Sequence, residues 1–483
     1  MTPYETFLQN YQWPDEVAAG VKFVPHPLQI GTINTLAPHP THGEWLAMGV
    51  GKTMVATAIA CIRKQWFKSR TIVILPPSLV LQWVRWLGKV IDKATGKPLK
   101  AIGYRGSPKE RELLRAQFPS ADFVVVGAQI FRKEIDFFRA EFKADPLQVI
   151  IDEATLIAWI GTKLHDAVFD YTRGVDVMVL TGTPAGKPLK AYGLCKFTNP
   201  DAYPSYAFFK TQHVTEFDQY QQPVDFKHLD VLQQNLMLNS VRLLFSDMYK
   251  GDEEPLFDAC YYELAGHHES LYKRVAEEKI LELVNGDKFD ATTPGKLNHM
   301  LNQIICNWEH FNPDPSKPVR SAILDQIEDV MDEVPKLVIF AHYKMTVAAL
   351  GRELAKYGAV TYNSETTGKQ KDAAKDRFIS DPSCRIIIIQ YKSGGYGLDG
   401  MQYVCHNIMC VESCRDPDTF AQAIARLKRT GQKNRVHVKL MIASGTTQVR
   451  SFKALLTNDD IACQTIRNPY QLRDMIYGRV KGL

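Results

Sequence analysis

Met48-Gly49-Val50-Gly51-Lys52-Thr53 runs directly into Met54-Val55-Ala56-Thr57-Ala58-Ile59-Ala60-Cys61-Ile62, a mostly apolar helical pattern. Glycines let backbone N–H groups close around phosphate oxygens, and a lysine beside them reaches the β- and γ-phosphates. A threonine hydroxyl ligates magnesium, and the N-terminus of the following helix favours the anion. Gly49, Val50, Gly51, Lys52 and Thr53 are therefore the expected phosphate site. The pattern GxxxxGKT asks for glycine at position 46, where this chain carries Leu46, so the loop fits GxGKT alone.

About 100 residues downstream, Val149-Ile150-Ile151 ends in Asp152-Glu153-Ala154-Thr155. A carboxylate at the C-terminal end of a buried parallel strand sits in the ligand crevice of an open α/β sheet. Asp152 is expected to join Thr53 around magnesium, and Glu153 to orient and deprotonate an attacking water. Adjacent acids capping a strand in solvent are the plain alternative, which the upstream phosphate loop disfavours.

Around these motifs lie short, continuous apolar runs of the kind found in parallel sheets covered on both faces. One group comprises 71–77, 123–128, 149–154 and 177–184; a second comprises 336–342, 385–390, 406–412 and 435–443. Helical stretches such as Thr53–Lys64 and Ser78–Val90 separate them. The middle, roughly 205 to 315, lacks such runs; Asn235–Met248, His268–Val284 and Lys296–Trp308 read as helices there. Residues 311–320 hold three prolines, which deny helix and sheet their N–H donors and mark a linker. The expected organisation is an α/β lobe over 1–205, a helical insertion over 206–315 and a second α/β lobe over 316–483.

The 483 residues allow two to four domains at about 150 residues each. Hydrophobic residues at 45% and charged residues at 23% exclude collagen-like, low-complexity and disordered classes. Nine cysteines without a CxxC pair point to a reducing compartment. Cys405, His406, Cys410 and Cys414 invite a zinc reading, but their apolar setting favours core cysteines. No apolar leader and no window of about 18 uncharged apolar residues occur, so no membrane partner is expected. The net charge of +5 names no partner by itself.

Gly51-Lys52-Thr53, Asp152-Glu153-Ala154-Thr155, Leu180-Thr181-Gly182-Thr183-Pro184 and QAIARLKRTGQ at 422–432 together resemble the ordered motifs of superfamily 2 helicase-like ATPases, specifically the Swi/Snf-like translocases. The last string is close to that family's QAIGRxHRxGQ. His26-Pro27-Leu28-Gln29, LPPSLVLQWVRWL at 75–87, KLVIFAHYKMT at 336–346 and KSGGYGLDG at 392–400 resemble further family blocks. The likeness implies two RecA-like lobes that close on ATP and Mg2+. It gives Gln29 the adenine edge, and Gln422, Arg426 and Arg429 a place at the nucleotide from the opposite lobe. It assigns DNA contacts to Pro77, Ser78, Thr181, Thr183, Ser393, Gly394 and Gly395, and the basic charge around Lys428, Lys433 and Arg435 makes these candidates for backbone contacts, an ordinary solvated face being the alternative. Asp399 stands where the family commonly has asparagine.

The second lobe's 415–453 carries nine Lys or Arg against two acids, a +7 stretch that the overall charge conceals. Trp83 and Trp86 are expected as core rather than as base-stacking residues. The expected protein is a monomeric ATP-dependent translocase on double-stranded or branched DNA, without room for accessory domains, in the cytoplasm of a bacterium or phage-infected host. A strand-separating helicase and a nucleotide-gated adaptor of low turnover are the alternatives.

Overall fold

The computed structural model describes residues 1–17, 21–184, 187–248, 255–264, 266–278, 280–282, 288–290, 294–307, 311, 321–394, 398–414, 416–429, 431–449, 451–452 and 455. The chain divides into two compact units, with the change from one to the other at Gly251/Asp252.

The first unit is built on a seven-stranded sheet in the order Ser240–Leu243, Thr41–Leu46, Asp176–Leu180, Leu147–Asp152, Arg70–Leu75, Phe123–Gly127, Ala101–Tyr104. Every pairing in it is parallel. The four apolar runs read from the sequence supply four of these strands, and Phe123–Gly127 is buried at every position. Covering both faces explains the unbroken Val/Ile content, since neither face is left for polar residues. Helix Lys52–Phe67 follows the phosphate loop and is buried along most of its length.

The second unit carries a six-stranded parallel sheet ordered Leu256–Tyr262, His437–Ala443, Asn407–Cys410, Leu337–Ala341, Ile386–Gln390, Val360–Tyr362. Its strands alternate between two cores. Val338, Phe340, Ile387, Ile389 and Leu440 enter one, and Ile339, Ile386, Ile388, Met409 and Met441 the other. Each unit thus has the parallel, doubly covered sheet of a RecA-like lobe.

The helical insertion expected over 206–315 is corrected. Ser240–Leu243 is the edge strand of the first sheet, and Leu256–Tyr262 that of the second, so the segment divides between the units. The helix expected over Asn235–Met248 is two helices, Leu229–Met237 and Phe245–Met248, separated by that edge strand. Asn239 at φ 53 turns the chain out of the first helix. Gly266–Glu278 and Pro294–Cys306 are helical as expected, but the helix expected over His268–Val284 ends at Glu278, and Ile280–Glu282 is a strand paired antiparallel with Lys288–Asp290. Apart from Phe311, the proline-bearing segment 311–320 lies outside the described residues.

Cys405, Cys410 and Cys414 are buried, and the first and second of these pack in the apolar core with burial pushing their thiols up to about 12. Among the described residues no helix is long and apolar enough to cross a membrane.

Candidate functional site

In the first unit, strand Thr41–Leu46 leads through Ala47 and Met48 into the phosphate loop. Gly49 and Gly51 hold φ 79 and 91, the left-handed region where a Cβ is penalised. A Cβ on Gly51 would also stand 2.5 Å from Gln29 Nε2. Helix Lys52–Phe67 then starts with Gly51 as its N-cap and no side-chain cap, the arrangement that presents helix N-terminal amides to an anion. Lys52 Nζ donates to Leu46 O at 3.1 Å, across the base of the loop.

Gln29 is buried and built into this loop. Its Oε1 accepts from His26 N at 2.8 Å as part of a capping box, and its Nε2 donates to Val50 O at 2.6 Å. Each end of the amide makes one of these bonds and retains one further site, a lone pair on Oε1 and an N–H on Nε2.

Strand Leu147–Asp152 ends beside the loop. Asp152 is 5% exposed; its Oδ2 accepts the indole N–H of Trp83 at 2.7 Å and its Oδ1 accepts Glu153 N at 2.9 Å. Burial raises the Asp152 carboxyl, while Lys52, Trp83 and the Glu153 amide pull it back toward the charged form. Glu153 takes φ 51, ψ 53, a left-handed conformation that costs a non-glycine residue of order 1 kcal/mol or more. Such strain beside a phosphate loop places Glu153 at the head of a 3-10 turn, Ala154–Ile157, rather than on a solvated strand end.

These residues fit a nucleotide with magnesium: a glycine cradle, a helix N-terminus, a lysine, and the carboxylate Asp152 with Thr53 at the start of the helix. When bound, magnesium would neutralise phosphate charge; Thr53 and Asp152 are the residues that would hold it.

A second buried pair was not anticipated. His42 and Glu44 on strand Thr41–Leu46 are both 0% exposed, with His42 Nε2 3.5 Å from Glu44 Oε1. Burial pushes the His42 imidazole down to about 3, and Arg63 adds to this. Burial also holds the Glu44 carboxyl well above its ordinary range, Asp152 raising it further and Lys52 and Arg63 lowering it. With Nδ1 of the neutral ring donating to His39 O at 3.0 Å, Nε2 presents its lone pair to Glu44. A proton on Glu44 makes the two groups compatible.

The expected DNA residues of this unit fall into two classes. Pro77 and Ser78 are exposed at a 3-10 turn following strand Arg70–Leu75. Thr181 is corrected: it is fully buried, its hydroxyl accepts Thr183 N at 3.2 Å, and its own N–H donates to Glu44 O, so its side chain is closed to direct DNA contact. Thr183 is half-buried, with its hydroxyl turned inside. Arg242 Nη1 donates to both Trp45 O and Gly182 O at 2.8 Å, tying the edge strand to the same turn.

In the second unit, Gln422 lies on helix Pro417–Ile424, 7% exposed, and Arg426 is 8% exposed. The helix was expected to carry Arg426 and Arg429 on one face; it ends before both. Gln432 Nε2 donates to Leu427 O at 3.3 Å and to Cys405 O at 2.9 Å, and Gly431 takes φ 93, which together turn the chain away. Arg429 is ion-paired with Asp399, the residue standing where the family has asparagine. Lys428 is half-buried. Ser393 and Gly394 close the short helix Tyr391–Gly394, and Gly395 lies outside the described residues.

Trp83 was legible as core but not as the donor to Asp152. It sits on the helix after strand Arg70–Leu75, which neighbours Leu147–Asp152 in the sheet, and that adjacency is a property of strand order. Trp86 packs on Trp13 and Phe23 and donates to Thr57 Oγ1 at 3.0 Å.

The SNF2-related domain model matches residues 44–311, more than half of the chain. The chain belongs to the SNF2-related family. Human TATA-binding protein-associated factor 172 is 23% identical over 94% of this SNF2-related chain and 29% of its own length. An uncharacterized ATP-dependent helicase of Mycoplasma pneumoniae is 22% identical over 87% of the chain and 39% of its own. The chain therefore spans well under half the length of these relatives. The solved Sulfolobus solfataricus SWI2/SNF2 ATPase core in complex with dsDNA is 19% identical, covers 96% of this chain and 99% of its own, and superposes with a TM-score of 0.40.

Proposed function

We propose that the chain is an ATP-driven motor core that translocates on double-stranded or branched DNA. The observation that carries this reading is the convergence, at the ends of two parallel strands of one sheet with only Asp176–Leu180 between them, of the Gly49–Thr53 loop, Lys52 and the buried Asp152 with Glu153 after it. Lys52 and the helix N-terminus hold the phosphates, Thr53 and Asp152 hold magnesium, and Glu153 positions water for attack on the γ-phosphate. Gln29 reads the adenine edge with the donor and acceptor sites its two loop bonds leave over. Gln422, Arg426 and Arg429 of the second unit serve the nucleotide during hydrolysis. Pro77, Ser78, Ser393, Gly394, Gly395 and Lys428 follow the DNA backbone, with Thr181 and Thr183 coupling nucleotide state to it. Backbone reading implies weak sequence preference and strong salt dependence. The protein acts as a monomer in a bacterial or phage-infected cytoplasm.

The test is ATPase rate with duplex, forked and single-stranded nucleic acid. Duplex DNA is expected to stimulate turnover, Lys52→Ala to abolish nucleotide binding and turnover together, and Glu153→Gln to abolish turnover with nucleotide still bound. An ATPase rate indifferent to every nucleic acid would return the protein to the nucleotide-gated adaptor reading. Triplex displacement without duplex unwinding separates a translocase from a strand-separating helicase.

A further inference from the structure

Trp159 follows the acid pair in the chain, two residues beyond the 3-10 turn Ala154–Ile157 that begins after Glu153. It is 39% exposed, like Trp66 at 40%, whereas Trp45 and Trp83 of the same unit are 0% and 1% exposed. Exposure alone is ordinary for an indole; Trp66 sets its ring edge-on to Phe67, whereas Trp159 has lysines over its ring.

The backbone around it is fixed. Trp159 O accepts the Thr162 hydroxyl at 2.9 Å, and Ile157 O is 2.6 Å from His165 Nδ1. Helix Pro188–Thr198 comes so close that a Cβ on Gly193 would lie 1.9 Å from Ala158 O. Neighbouring Ile157 and Ala158 are fully buried, so the loop is anchored on both sides while the ring remains outside.

The surroundings are cationic. Lys187 Nζ lies 5.9 Å and Lys190 Nζ 6.0 Å from the centroid of the indole, within cation–π range. Lys187 is exposed, and Lys190 is buried. An aromatic face beside an exposed lysine is the pair of contacts that single-stranded nucleic acid uses: a base on the ring and a phosphate on the ammonium.

We infer that Trp159, with Lys187, is a stacking platform for an unpaired nucleobase. This rests on the DNA reading above and goes beyond it, because bases inside a blunt duplex offer no free face, whereas a fork or a single-stranded arm does.

The test uses the full chain and labelled DNA of equal phosphate number, either blunt duplex or fork with unpaired arms. The wild type binds the fork more tightly, and Trp159→Ala lowers the fork-to-duplex affinity ratio by about tenfold. Trp159→Phe, which keeps an aromatic face, retains most of the ratio but loses the quenching of tryptophan emission that single-stranded oligonucleotide produces in the wild type. Lys187→Ala lowers the salt slope of fork binding by about one. A fork-to-duplex ratio unchanged in Trp159→Ala overturns the platform alone and leaves the DNA motor standing. Wild-type protein that binds no nucleic acid overturns both, and binding of a protein at Trp159 with that ratio unchanged assigns the surface to a different partner.

Discussion

The indole N–H of Trp83 donates to Asp152 Oδ2 at 2.7 Å in a buried setting, so the helix after one central strand orients the carboxylate at the end of its neighbour. A hydrogen bond to a charged group contributes about 1.5–3 kcal/mol, and leaving the acceptor unpaired in the interior costs a comparable amount. Trp83→Phe keeps the ring and removes the donor. It is expected to destabilise the first unit by about 2 kcal/mol in urea unfolding. It also shifts the magnesium dependence of ATPase to higher concentration, because Asp152 is left less well oriented; wild-type magnesium dependence in this variant would remove Trp83 from the site.

The phosphate loop depends on Gly51 having no side chain. Gly51→Ala forces a Cβ at φ 91 and against Gln29 Nε2, at a cost of about 1–2 kcal/mol for the backbone alone. Nucleotide affinity is expected to fall by tenfold or more, as read by a fluorescent ATP analogue. Gln29→Ala, which frees the Val50 carbonyl, should weaken the same binding by a smaller factor.

The His42–Glu44 pair makes stability depend on pH from two sides. His42, with its folded value near 3, takes up a proton in the unfolded chain first, so stability falls as pH drops from about 6.5 toward 3. Glu44 keeps its proton in the fold above the range where the unfolded carboxyl loses it, so its contribution is lost as pH rises from about 4.5 through the raised folded value. Glu44→Gln should therefore raise the melting temperature at neutral and alkaline pH and have little effect below about pH 4.5. His42→Asn should soften the acid limb. Parallel melting profiles for wild type and Glu44→Gln would exclude the protonated form of Glu44.

Asp399 holds Arg429 in a partly exposed ion pair. Such pairs contribute about 0–1 kcal/mol, so Asp399→Asn should leave unfolding nearly unchanged. If the pair restrains Arg429 from the nucleotide, DNA-stimulated turnover rises by up to about fivefold in that variant, the factor that corresponds to 1 kcal/mol. Turnover that falls instead would assign Asp399 a supporting role.

The central strands were legible because two-sided burial writes itself as uninterrupted Val and Ile. Strand Thr41–Leu46 was not, since His42, Gly43 and Glu44 break the apolar run; the polar side chains are accommodated only because they face each other and Arg63 in the interior. Ser240–Leu243 is short, and its pairing partner lies some 200 residues earlier, a relation that no local pattern contains. At the site, the loop and acid pair were explicit in the residues, whereas Trp83's hydrogen bond and Arg429's capture by Asp399 depend on strand order and on loop paths. The early end of helix Pro417–Ile424 was hidden because it consists of a tightening of the backbone, with Arg426 N and Leu427 N bonding three residues back to Ala423 O and Ile424 O, that no residue type at 425–429 announces.

Strand Ser240–Leu243 seals the flank of Thr41–Leu46, the strand that delivers the phosphate loop, and Arg242 fastens it there. During synthesis the first unit consequently waits for its last-made strand. Until residue 243 has left the ribosome, the nascent sheet presents an open, pairable margin at the strand that carries His42 and Glu44. Protein ending at residue 205 should collect in inclusion bodies, and protein ending at 251 should be recovered in the supernatant with nucleotide binding intact. The nucleotide site is therefore among the last parts of this unit to mature, although its residues are among the first to be made.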